Sequence, residues 1–146
     1  MQTYIGTKVI EAAPCKGQGG LVLTDGYRVR YPDGYESWSP KEAFEAAYRP
    51  LDRMNFGHAI EMLKLGKKVA RAGWNGKGMW LILVPGTPAV KPREGTPYHN
   101  ALGDQEIGIL PHIDMWTTNA DGRRAMLPGW LASQTDMLAD DWEVVP

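Results

Sequence analysis

The chain is short of several things, and each shortage excludes something. Its 146 residues hold one cysteine, Cys15, so no internal disulfide can form and a reducing cytoplasm is the expected compartment. Three histidines and that cysteine are scattered without zinc-type spacing, so neither a metal nor a cofactor is expected. The formal net charge is −1, which lacks the basic excess that DNA- and RNA-binding proteins use against phosphates. The longest apolar run, Met79 to Pro85, has the length of a strand and falls far short of a membrane span. Met1-Gln2-Thr3-Tyr4 lacks the basic start and apolar stretch of a secretory signal. Phenylalanine is scarce too, at two residues.

Against that scarcity stand six tryptophans and six tyrosines. Both side chains pair an apolar body with a polar edge, which suits interfaces and ligand-stacking surfaces as well as cores. Hydrophobic residues make up 43% and charged residues 23%, enough to bury a core in one ordinary domain or two very small ones.

Residues 1–50 read as a β-rich unit ending in a helix. Tyr4–Ala12 and Leu21–Leu23 are strand candidates around a turn-prone Pro14–Gly20. Tyr27–Tyr31 alternates large and basic side chains, Pro32-Asp33-Gly34 turns, and Tyr35–Trp38 returns as a hairpin. Ser39, Pro40 and Glu42 form a capping-box pattern for a helix reaching about Tyr48. Arg49–Arg53 is the candidate boundary. Asn55 then caps a helix carrying Phe56, Ile60 and Leu63, which Gly66 ends. Val69–Arg71 and a doubly buried Met79–Val84 follow as strands, then a long loop over Pro85–Gly108. A hairpin around Asn119–Gly122, a helical turn capped by Ser133 and Asp136, and a closing strand Trp142–Val145 complete an α+β fold of antiparallel sheets and short helices. No internal repeat appears.

Two segments carry candidate chemistry. Lys67–Gly78 gathers four cations, Trp74, Asn75 and three glycines. Arg71 and Lys77 are suited to phosphate oxygens, Trp74 to base stacking, Asn75 to a ring edge or ribose, and Gly76 and Gly78 to close backbone approach. A solvated basic turn would look similar, and no Gly-Lys-Ser/Thr ending makes it a Walker motif. In Pro128–Asp136, Ser133 and Asp136 are read as caps, leaving Trp130 and Gln134 for a ligand. His112 and Asp114 share one strand face, as a base and its orienter do, but no serine elbow accompanies them. The carboxylates at Asp136, Asp140, Asp141 and Glu143 read as a solvated acidic end.

These segments resemble a known phage family. Met54-Asn55-Phe56-Gly57, Gly66-Lys67-Lys68-Val69, Arg71, Gly73–Met79, Val84-Pro85-Gly86, Pro111–Met115 and Trp130–Trp142 follow, in order, the pattern of the second type of Thoeris anti-defence protein. The resemblance covers residues 54–146. It implies a homotetramer that sequesters cyclic ADP-ribose isomers made by TIR-domain proteins, without cleaving them. For some members it also implies a separate site for cyclic dinucleotides. The implied pocket lies between subunits, with Phe56, Trp74, Asn75, Gly76 and Gly78 at matching positions. Residues 1–50 resemble a small phage module with no assigned activity. Three classes stay open: a nucleotide sponge, an enzyme acting on the same signal through His112 and Asp114, and an interaction protein anchored by its tryptophans. None of the three involves DNA, RNA or a membrane.

Overall fold

The computed structural model describes residues 1–19, 22–74 and 77–146, and divides into two compact units, Met1–Pro50 and Leu51–Pro146. In the first unit, β1 (Glu11–Gly19), β2 (Val22–Arg30) and β3 (Glu36–Pro40) form an antiparallel sheet in that order, followed by α1 (Lys41–Ala47). Alternation along β2 sends Tyr27 and Val29 to one face. There Val29 is fully buried, and Tyr27, Phe44 and Tyr48 stack at 4.1 and 5.0 Å. Arg28 and its partner Trp38 point to the other face.

Three expectations for this unit need correcting. Pro14–Gly19 is strand, not turn. A Cβ on Gly17 or Gly26 would collide with the indole of Trp38, so these glycines form a seat for a ring from β3. Pro14 is tolerated because β1 is an edge strand. The strand expected from Tyr4 begins only at Glu11, because β2 ends at its register partner Arg30. Finally, α1 starts one residue late. Pro40 is its N-cap with no side-chain bond, since Ser39 is held in the ladder opposite Tyr27. The Tyr31–Gly34 turn is as expected, with Gly34 at φ +88° and its N–H donating to the Tyr31 carbonyl at 2.9 Å.

The second unit is a five-stranded antiparallel sheet with α2 (Phe56–Lys64) on one face. Strands β4 (Lys68–Arg71), β5 (Trp80–Val84), β8 (His112–Thr118), β9 (Arg124–Leu127) and β10 (Trp142–Val145) stand in the order β10-β4-β5-β8-β9. Asn55 caps α2 by accepting from the His58 N–H at 2.9 Å, and Gly66 leaves it at φ +79°. Ala59, Met62 and Leu63 of α2 pack with Met54, Val69, Leu81 and Trp142 into one core. Strand β5 is central, as expected, but it is not buried on both sides. Leu81 faces the core, while Trp80 and Ile82 are half-buried on the opposite face. Nor is Pro85–Gly108 a plain loop. It folds into a two-stranded ribbon, β6 (Thr87–Val90) with β7 (Ile107–Ile109), around α3 (Pro97–Leu102). The ribbon closes tightly at Gly86, where φ is +80° and a Cβ would strike the Ile109 carbonyl. Among the described residues, no helix is long and apolar enough to cross a membrane.

Candidate functional site

The end of β4 gathers charged and aromatic side chains into one constellation. Register opposite Trp142 puts Arg71 on the helix-covered face of the sheet. Its guanidinium bridges two carboxylates, with Nη1 2.8 Å from Asp136 Oδ1 and Nε 2.9 Å from Asp141 Oδ1. Asp136 belongs to α4 (Gln134–Met137), where it and Ser133 complete a reciprocal capping box. The chain then leaves β4 through a 3-10 turn, Ala72–Trp74. There the Gly73 N–H donates to Asp141 Oδ2 at 2.7 Å. A Cβ on Gly73 would lie 2.8 Å from that oxygen, so the contact needs glycine.

Four rings close over this hub. Trp142 is fully buried and meets Trp74 at 5.4 Å, Phe56 at 5.5 Å and Trp130 at 6.1 Å. Trp130 also meets Phe56 and Trp74 edge-on. The indoles are tied to the same short helix. Trp142 Nε1 donates to the Asp136 carbonyl at 2.9 Å, and Trp74 Nε1 to Asp136 Oδ1 at 3.4 Å. Phe56, Trp74 and Trp130 remain half-buried.

The carboxylates are tuned by these contacts. Burial works to raise the Asp136 pKa, but hydrogen bonds from Arg71, Ser133 and Trp74 outweigh it and hold the group below the ordinary aspartate value. At Asp141 the Arg71 hydrogen bond dominates, opposed by burial and helped by the Gly73 N–H, and the pKa is again lowered. Both groups are more acidic folded than unfolded. Their stabilisation is therefore complete at neutral pH and is lost as pH falls below about 4, through the folded values. Acid unfolding of wild type and Arg71→Gln, followed by near-UV circular dichroism, is expected to show their stability gap closing below about pH 4. A gap that stays constant from neutral to acid pH contradicts this assignment.

The sequence-derived candidates separate into three groups. Phe56, Arg71, Trp74 and Trp130 converge in the aromatic hub, and Gln134 lies exposed on the first residue of α4. Arg71 is engaged by two carboxylates rather than held free for a phosphate. Trp74 ends the 3-10 turn and is half-buried, with its ring against Trp142 and Trp130. Lys77 and Gly78 lie elsewhere, with their carbonyls receiving the guanidinium of Arg124. Asn75 and Gly76 fall outside the described residues. The acidic end is not simply solvated, because Asp136 is buried and both it and Asp141 are paired. His112 and Asp114 do share a face, with Nε2 and Oδ1 3.6 Å apart. Each is occupied structurally: His112 Nδ1 is 2.9 Å from the Leu110 carbonyl, and Asp114 accepts the Gly129 N–H at 3.1 Å.

Sequence reasoning missed Trp142 as the centre of the hub. It also missed a ladder on the opposite sheet face, where Trp80 and Trp116 stack at 5.7 Å. Lys68 Nζ lies 5.2 Å from the Trp80 ring and Arg124 Cζ lies 5.4 Å from the Trp116 ring. The period-2 pattern Trp80-x-Ile82 and Asp114-x-Trp116 was the available signal for that shared face.

All of these residues lie within the stretch 54–145, which matches the family model of the Thoeris anti-defense 2-like domain. The chain belongs to the Thoeris anti-defense 2-like family. A protein named Thoeris anti-defense 2, from Bacillus phage SP01, is 37% identical over 93 residues, which is 64% of this chain and 96% of that protein. Membership of the Thoeris anti-defense 2-like family assigns the chain to phage anti-defence. The aromatic hub, its Arg71 bridge and the Trp80–Trp116 ladder are all part of the family domain.

Proposed function

We propose that this chain is a phage sponge: it binds immune signalling nucleotides of the cyclic ADP-ribose class, and cyclic dinucleotides as a second class, and holds them intact. It acts as a homo-oligomer, a tetramer, in the cytoplasm of the infected bacterium, without catalysis. The family match over 54–145 carries the reading. The geometry supports it in two ways. Phe56, Trp74 and Trp130 are half-buried rings that meet one another, and Gln134, exposed at the start of α4, supplies an amide, the residue types that stack a base and read its rim. Leu131 and Leu138, which flank this short helix, are 89% and 78% exposed, as expected of a pocket that a second subunit completes. Arg71 then serves the site by fixing Trp74 through Asp136, and Lys77, exposed on the stretch that leads away from the hub, supplies a cation to a ligand that reaches beyond the rings.

The test is to incubate the protein with cyclic ADP-ribose isomers and cyclic dinucleotides, heat-denature it, and analyse what is released. Intact ligand supports the sponge, a converted product makes it an enzyme, and nothing retained removes both readings. Lys77→Ala is expected to leave stability within about 0.5 kcal/mol of wild type. It should weaken nucleotide retention roughly tenfold, the scale of one charged hydrogen bond. Unchanged retention takes Lys77 out of the site.

A further inference from the structure

The segment that leaves the aromatic hub re-enters the sheet through Lys77 and Gly78, just ahead of Trp80, the first residue of β5. There it meets Arg124 of β9, an edge strand of the sheet. One guanidinium makes four contacts. Its Nη1 donates to the Lys77 carbonyl at 2.9 Å and to Thr118 Oγ1 at 3.0 Å, and its Nη2 donates to the Gly78 carbonyl. Its Cζ lies 5.4 Å from the centroid of the Trp116 ring, which itself stacks on Trp80.

An arginine on a surface strand ordinarily extends into water or pairs with an acid. Among the described residues no carboxylate pairs with Arg124, and its polar partners are two carbonyls and a hydroxyl. The planar fork suits two successive carbonyls in a way that a lysine ammonium does not. In extended chain such carbonyls point to opposite sides, but Gly78, at φ +66°, turns them to the same one. A Cβ there would lie 2.9 Å from Arg124 Nη2, so the approach of the guanidinium needs glycine. Lys77 is exposed between this grip and the far end of the segment, where the Gly73 N–H is held by Asp141.

We propose that Arg124 is a positioning residue of the nucleotide site. By gripping the Lys77 and Gly78 carbonyls against the sheet, it sets where the Lys77 ammonium meets a phosphate of the ligand. The inference rests on the sponge reading and deepens it. Arg124 acts through Lys77 and makes no contact with the nucleotide itself. A cation fixed in advance binds an anion better than one that must be ordered on binding, because the ordering entropy of its backbone is already lost.

The test uses the full chain with Arg124→Lys, which keeps the charge and loses the fork. Circular dichroism is expected to show an unchanged fold, since Arg124 is exposed on an edge strand. Without any ligand, limited trypsin digestion read by mass spectrometry should cut after Lys77 at least about tenfold faster than in wild type. Unchanged cleavage there overturns the proposal. Retention of cyclic ADP-ribose isomers should then fall about tenfold in Arg124→Lys, as in Lys77→Ala, and fall no further when the two are combined. Losses that multiply overturn the proposal, because Arg124 would then act independently of Lys77, as a general structural role also would. Wild type that retains no nucleotide overturns the sponge reading itself. Failure of this proposal alone looks different: wild type retains nucleotide and Arg124→Lys retains it equally.

Discussion

Trp142→Ala is expected to lower the stability of the second unit by about 4 kcal/mol, a fall in Tm on the order of 20 °C. The size follows from position. The ring is fully buried and touches Phe56, Trp74 and Trp130, and its Nε1 holds the Asp136 carbonyl. Its backbone also forms a two-way bridge with Met54, at 2.8 and 3.1 Å. Alanine removes the ring and leaves a cavity among groups pinned by hydrogen bonds, so collapse around it is limited. Trp142→Phe should lose less, about 1–2 kcal/mol, because a ring remains while the Asp136 carbonyl loses its donor. Thermal unfolding monitored by far-UV circular dichroism checks both. A loss below about 1 kcal/mol for Trp142→Ala would show that the hub is not the core of this unit.

Arg71→Leu should cost about 3 kcal/mol, for a different reason. Its side chain is only 18% exposed, and it is the shared cation of Asp136 and Asp141. Removing it leaves two carboxylates close together, one of them buried, with no compensating charge. Most of the loss is thus the penalty of stranded anions, not the worth of the bridge. Combining Arg71→Leu with Asp136→Asn and Asp141→Asn should therefore recover about half of it, and urea unfolding of wild type, Arg71→Leu and the triple variant measures this. If the neutralised combination is less stable than Arg71→Leu alone, the bridge is itself the source of stability. If Arg71→Leu costs nothing, the guanidinium is not holding α4 at all.

The parts of this architecture that were legible in the sequence are local. Asn55, Gly66 and the Ser133–Asp136 box act within four residues, so the chain announces them without help from the fold. The hairpin at Asn119 is likewise self-contained, its side chain accepting from the Asp121 and Arg123 N–H groups. What escaped depends on distant partners. Arg71 reads as a phosphate ligand until residues 65 and 70 positions later neutralise it. Gly17 reads as a turn residue until Trp38 needs the space above it. Residues 85–108 are rich in Pro and Gly, yet their ribbon forms because Thr87 and Val90 find Ile109 and Ile107 across a helical excursion. Of the proposed ligand residues, Phe56, Trp74 and Trp130 do come together, and Trp142 was hidden because it reads as an ordinary strand residue.

The pairing of β10 with β4 also sets an order of assembly. The three strands of the first unit are consecutive in the chain, so its sheet is complete once β3 has been synthesised. The second unit cannot finish its core so early. Val69, Leu81 and the aromatic ring of Phe56 wait for Trp142, which is delivered some seventy residues later. Until it arrives, the β4 edge and the apolar face of α2 stay uncovered on the nascent chain, open to wrong partners. During synthesis the first unit therefore folds beside an unfinished neighbour, and contacts of long sequence separation set the pace of the rest.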